Sequence, residues 1–466
     1  MNAKTLFHRH FWMILVFLLT ACAPGVAPTD DITVIPIQAA AITTPTIQAT
    51  DIPTLTPTQT QIPTPTPLPF VKLEGLRVAY IIEGNLYIQD SGGQPLQLTN
   101  SGEDRLPILS DDGEKVLFFR GAGEKQYRLY GINPDGSQER PLVTGEILAS
   151  LGLGYDQFAE ISDWQLVPGT HKLLFDTQQF KITSEMVGGY SGHWPRFESN
   201  QDLLMVNLDT AEITKLNQNS WKERIFQVSP DGKMITDSYS IFDLHGNLIR
   251  DLITPLSIWK GKYVFPFWTQ DSNRLIILPP IKGNLDPVDG PQPRTIWQYP
   301  LDGNQGVETR FYPAPMGSEF SISPNGNWIV YAYYYYPGET DENVPDGIYL
   351  GNLPDGSSRL LGANSFYGWP SSFYWSPDSE HFIFSNNRTS QLYLGDVDGN
   401  IQSLNDTGFL GWINDKSYLY QKNGDSVAMK TVDDDENVLV VNLLKGIQYM
   451  GEGINGAHLI SVYINH

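Results

Sequence analysis

At 466 residues, with 41% hydrophobic and 12% aromatic residues, the chain is long enough to bury a large core, and its aromatic content leans towards β structure. A formal net charge of −22, with no compensating Lys/Arg stripe, repels phosphate backbones and argues against nucleic acid as a partner. A single cysteine, Cys22, rules out a disulfide framework within the chain.

Residues 1–21 read as a secretory signal peptide. A short basic stretch (Lys4, Arg9) leads into the apolar run Phe11 to Leu19, which ends in Leu19-Thr20-Ala21-Cys22. The run is short for a membrane span, which needs roughly 20 residues. Its last four residues resemble the bacterial lipobox, and that resemblance implies a lipidated Cys22 as mature N-terminus and a membrane anchor facing the extracytoplasmic side of a bacterial envelope. Residues 22–70 then form a Thr/Pro-rich tether, culminating in Pro53-Thr54-Leu55-Thr56-Pro57-Thr58 and Pro63-Thr64-Pro65-Thr66-Pro67. Proline fixes φ and removes backbone donors, so this stretch is expected to be an extended, polyproline-II-like spacer rather than a domain.

From residue 71 to 466 the chain repeats. Eight hairpins align by their turns: 86–99, 129–143, 203–216, 240–252, 295–311, 348–361, 392–404 and 438–450. Seven of them are preceded by a second hairpin with a turn related to Ser-Pro-Asp-Gly, at residues 110–113, 167–169, 229–232, 269–272, 323–326, 376–379 and 414–415. Two hairpins per repeat make a four-stranded meander, and such sheets arranged radially make an all-β propeller. The repeats predict eight blades, or seven if one degenerate repeat fails. Strand 76–81 enters without a partner hairpin before it and strand 458–464 leaves without one after it, so the two termini are expected to share one blade and close the ring.

The Ser-Pro-Asp-Gly turn, followed by Leu-Tyr, an Asp-Gly-Gly-like turn and Leu-Thr, resembles the WD-like repeat of TolB-type propellers. Residues 85–119 and 376–399 carry this best. The family's six blades and N-terminal α/β domain have no counterpart here, where eight hairpins follow a tether. The resemblance therefore implies a fold and no role in envelope integrity.

In an up-and-down blade, the within-hairpin turns share one face and the connecting loops share the other. Long insertions at 145–160, 181–201, 279–294 and 336–347 fall on the second face, together with Tyr190, His193, Trp194, Trp221, Trp259, Tyr367 and Trp369. Aromatic rings beside polar groups suit sugars or peptides, which makes these residues the predicted ligand surface. The run Tyr333-Tyr334-Tyr335-Tyr336 is expected to pack between blades, because alternation sends successive rings to opposite faces. The acidic groups at 339–346 and 433–436 read as solvated loops. No nucleophile elbow, zinc-binding helix or phosphate loop is present, and no paired histidines follow the signal peptide. No catalytic residue, metal or other cofactor is assigned. The favoured reading is a monomeric, envelope-anchored binding or scaffold module for a glycan, peptide or protein. The competing reading is a secreted glycosidase or lyase with carboxylates on the long-loop face.

Overall fold

The chain divides into two units, Met1–Pro67 and Leu68–His466. The computed structural model describes residues 68–121, 128–153, 159–183, 194–216, 226–237, 240–252, 265–278, 294–302, 306–311, 320–333, 344–363, 370–386, 391–404, 408–422, 426–443 and 460–464. Cys22 and the predicted signal and tether up to residue 67 lie outside them.

Leu68–His466 is a β-propeller of eight four-stranded antiparallel sheets. Blade 1 is Asp104–Leu109, Val116–Arg120, Arg128–Ile132 and Arg140–Val143; blade 2 is Glu160–Leu166, Lys172–Thr183, Trp194–Asn207 and Ile213–Lys215. Blade 3 is Gln227–Val228, Met234–Thr236, Ser240–Asp243 and Leu248–Asp251; blade 4 is Phe265–Trp268, Arg274–Leu278, Arg294–Pro300 and Val307–Phe311. Blade 5 is Phe320–Ile322, Trp328–Tyr333, Gly347–Asn352 and Ser358–Ala363; blade 6 is Pro370–Trp375, His381–Asn386, Leu392–Asp396 and Ile401–Ser403. Blade 7 is Phe409–Trp412, Ser417–Lys422, Ser426–Thr431 and Asp434–Asn442. Blade 8 joins the two ends of the unit: Ile460–Ile464 pairs with Leu76–Ile82, followed by Asn85–Asp90 and Leu96–Gln97. First strands of neighbouring blades touch one another, so they form the inner wall of the ring.

Each turn between first and second strands is wired by its own side chains. In 110–115, 229–234, 269–274, 323–328 and 376–381, the Ser or Thr hydroxyl donates to the Asp or Asn two residues on, at 2.5–2.8 Å. The same hydroxyl accepts the N–H five residues on, which starts the second strand. These bonds satisfy backbone groups that a tight turn would otherwise strand.

The core is distributed rather than central. Eight clusters of buried side chains each bridge one pair of neighbouring blades, so all eight junctions are filled. Alternation does this within one strand: Ile329, Tyr331 and Tyr333 pack towards blade 4, while Val330 packs towards blade 6. Tyr333 is buried, as expected for the first ring of the tyrosine run; Tyr334, Tyr335 and Tyr336 lie outside the described residues.

Three expectations need correction. The last hairpin is not 438–450 around Gly446: Ser426–Thr431 pairs with Asp434–Asn442 across a turn at 432–433. Asp434 and its neighbours thus belong to an outer strand rather than a loop, because Val438, Leu439 and Val441 pair with Met429, Ala428 and Val427 of the strand before them through an irregularity at Val440, and Val438, Val440 and Val441 pack in the junction with blade 8. Much of the supposed loop 181–201 is strand, since the hairpin of blade 2 runs on to pair Thr183 with Trp194 through an irregularity between Ser199 and Leu203. The insertion 145–160 opens with the helix Gly145–Ser150, capped by Thr144, whose hydroxyl accepts the Ile147 N–H at 3.2 Å.

Candidate functional site

Two groupings of side chains lie on the turn side of the ring. The first is built by the inner strands of blades 4 to 7. Trp268, Trp375 and Trp412 each stand immediately before the Ser, Thr or Ile that opens the following turn. That position places the indole against the preceding blade. Trp268 Nε1 donates to the Gln227 carbonyl at 3.4 Å, Trp375 Nε1 to Ser321 at 3.3 Å, and Trp412 Nε1 to Tyr374 at 3.0 Å. The polar end of each indole is thereby satisfied and its rings are left as wall.

Between these strands is an open cleft of about 440 Å³. Every residue lining it belongs to the first strand of a blade or to the turn leaving it. Its rings come from Trp268, Phe373, Tyr374, Trp375, Phe409 and Trp412, with Tyr374 and Phe409 5.0 Å apart between centroids. Gln270 and Ser321 add an amide and a hydroxyl. Among the described lining residues there is no Asp, Glu, Lys, Arg or His, so this wall carries no formal charge at neutral pH.

The second grouping spans the junction of blades 1 and 2. His171, which follows the first turn of blade 2, has both ring nitrogens engaged: Nδ1 with Asp209 Oδ2 at 2.8 Å and Nε2 with Asp112 Oδ2 at 2.5 Å. Glu114 Oε2 is 3.9 Å from the same Nε2. Lys115 Nζ is 3.0 Å from Asp209 Oδ1. Burial disfavours the imidazolium, yet the hydrogen bonds and charges of Asp209 and Asp112 outweigh it and raise the His171 pKa above its ordinary value. Burial opposes ionisation of Asp112 as well, but bonds from the Ser110 hydroxyl, the Glu114 N–H and His171 hold its pKa low.

Of the residues predicted from sequence as a ligand surface, Tyr190, His193, Trp221, Trp259, Tyr367 and Trp369 lie outside the described residues. Trp194 is corrected from a loop to the long third strand of blade 2, opposite Thr183. Sequence reading missed Trp268, Trp375 and Trp412, although their shared place just before the turn was visible as a pattern. It also missed the His171 grouping, whose members are dispersed along the chain with a single histidine among them, so no local spacing marks them.

No protein-family model and no curated protein matches this chain. Among solved structures it is similar to TolB from Acinetobacter baumannii at 12% identity, over 71% of this chain and 64% of that one, with a TM-score of 0.32. It is also similar to a prolyl endopeptidase at 11% identity over 78% and 50% of the two chains, TM-score 0.45. A third is an oligogalacturonate lyase solved in complex with manganese, at 17% identity over 68% and 81%, TM-score 0.38. The chain thus spans about two thirds of the TolB chain and half of the endopeptidase.

Proposed function

We propose that this chain is an extracytoplasmic propeller lipoprotein, anchored through Cys22 and lifted from the membrane by residues 22–70, that binds a glycan, peptide or protein. The observation that carries the binding reading is the aromatic inner wall of blades 4 to 7, whose 440 Å³ pocket is lined by rings, an amide and a hydroxyl, with no Asp, Glu, Lys, Arg or His among the described lining residues. Such a lining favours an uncharged ring over an ionic ligand: stacking supplies affinity, and few polar groups supply orientation. The lipobox-like Leu19-Thr20-Ala21-Cys22 supports the anchored location. The absence of a carboxylate from the pocket lining favours recognition over acid–base hydrolysis at this place.

The test is a glycan and peptide array probed with the purified protein, followed by two variants. Gln270→Trp fills the pocket from an exposed turn position and changes only the side chain, keeping the backbone N–H that bonds the Pro324 carbonyl across the junction. Trp194→Ala with Trp369→Ala instead removes two aromatics of the ligand surface predicted from the sequence. Binding lost in the first variant and kept in the second supports the pocket as the site. Loss only in the second moves the site to the long-loop face. Release of shortened or unsaturated sugar products would replace the binding reading by the enzymatic one.

A further inference from the structure

We propose that Asp112, Glu114 and His171 form a binding site for a divalent transition-metal ion, Zn²⁺ above all, that bridges blades 1 and 2 on the turn side of the ring. The oxygens of the two carboxylates and a ring nitrogen of His171 all lie within 4.8 Å of one another. A tetrahedral ion with bonds of about 2.0–2.1 Å wants its ligand atoms roughly 3.3 Å apart. The Asp112–His171 separation of 2.5 Å has to open a little and the Glu114–His171 separation of 3.9 Å has to close a little. Both shifts are under about 1 Å, which side-chain rotation supplies.

Two of the three donors are already oriented. Asp112 has one oxygen committed to its own turn, accepting from the Ser110 hydroxyl at 2.6 Å and the Glu114 N–H at 2.9 Å, which directs the other at His171. His171 Nδ1 is held by Asp209, itself anchored by Lys115. A carboxylate on the far nitrogen is the arrangement that fixes a metal-binding histidine in the Nδ1–H tautomer and leaves the Nε2 lone pair for the ion. Glu114, with 72% of its side chain exposed, is free to swing in as the third donor. Asp111, next in the same turn, spends a carboxylate oxygen on the Gly169 N–H across the junction and stays outside the set.

Charge points the same way. Three carboxylates (Asp112, Glu114, Asp209) face one ammonium (Lys115), which leaves two negative charges when the imidazole is neutral, and a dication balances them. An imidazole among the donors favours Zn²⁺ over Ca²⁺, which takes six to eight oxygens. With three protein donors, the remaining coordination positions face solvent and are open to water or a further ligand.

The experiment titrates Zn²⁺ alone into the chelator-treated protein by calorimetry near pH 7.5, alongside Ca²⁺. The expected result is one saturable Zn²⁺ site per chain that Ca²⁺ does not occupy. His171→Ala removes it, and Asp209→Asn weakens it roughly 10- to 100-fold. Glu114→Gln, whose exposed side chain reaches across the junction only at 3.9 Å from His171, weakens it at least tenfold while the metal-free protein keeps a single melting transition near the wild-type temperature, and decides the matter if His171→Ala does not fold. Absence of saturable binding, or equal Zn²⁺ affinity in the wild type and Glu114→Gln, overturns the proposal.

Discussion

Ser272 and Ser379 hold φ of 56° and 69°, a left-handed conformation that the equivalent positions Gly113, Gly232 and Gly326 meet with no Cβ to strain. The serines keep their places because each hydroxyl accepts an N–H from the turn of the preceding blade, that of Asp231 or of Asn325, at 3.0 Å. Left-handed φ costs about 1–2 kcal/mol and the hydrogen bond returns about 1 kcal/mol, so the two nearly offset. Ser379→Ala and Ser379→Gly both lose the bond but only Ala keeps the strain; we expect Ser379→Ala to be about 1 kcal/mol less stable than Ser379→Gly by urea denaturation. Gly395 has the opposite logic: a Cβ there would stand 2.3 Å from the ring of Phe382, which fills the junction with blade 5. Gly395→Ala is therefore expected to lower the melting temperature by several degrees, a change of at least about 1–3 kcal/mol. The turn aspartates make stability depend on acidity. The Thr269 hydroxyl and the Asn273 N–H lower the pKa of Asp271; at Asp231 burial opposes, but Ser229 and Lys233 prevail and lower it too. A carboxylate lowered by folding adds stability that is complete above the unfolded value, about 3.9, and is lost as pH falls through the folded one. Asp271→Asn should flatten the acid end of a melting-temperature profile below about pH 4 and leave the neutral end little changed.

At the scale of the element, the inner strands are tied to each other by side chains rather than by sheet hydrogen bonds. The indoles of Trp268, Trp375 and Trp412 bond the carbonyl of the preceding blade, and the turns beyond them bond as well, with Gln270 N–H on the Pro324 carbonyl at 2.7 Å. Trp412→Phe keeps most of the apolar area and removes one such bond; a loss of about 0.5–1.5 kcal/mol in chemical denaturation is expected. A second tie sits where residue 68 begins the described chain. Val71 N–H donates to the Leu439 carbonyl at 2.8 Å and Leu439 N–H to that of Pro69 at 2.9 Å, forming a short parallel bridge on the outer edge of blade 7. This bridge caps part of an otherwise open edge.

For the whole molecule, stability rests on closure, since every cluster of the core belongs to two blades and none to one. The ring closes where Leu76–Ile82 pairs with Ile460–Ile464 and packs Leu76, Val78 and Tyr80 against blade 7. A chain ending after residue 443 would leave the second strand of blade 8 as a bare edge at the ring's centre. We expect such a chain to lose its single cooperative melting transition and to elute as aggregates in size-exclusion chromatography, while the full chain melts in one step.

The blades were legible in the sequence because their signals are local. Ser-x-Asp-Gly turns, short apolar runs such as Trp328–Tyr333 that suit strands buried on both faces, and unpartnered strands at both ends are each read within a few residues, and together they predict the eight sheets and their closure. The misplaced last hairpin shows the limit of that logic: the turn at 432–433 carries no glycine, and Gly446 drew the boundary towards itself. What meets across a junction was not legible. Asp112 and His171 are 59 residues apart and share a site only because blade 1 lies beside blade 2, while Trp268, Trp375 and Trp412 share a wall only because the ring is closed. Local hydrogen bonding and alternation determine the blade, whereas the radial packing of one blade on the next decides which side chains face each other, and that is a property of the assembled ring alone.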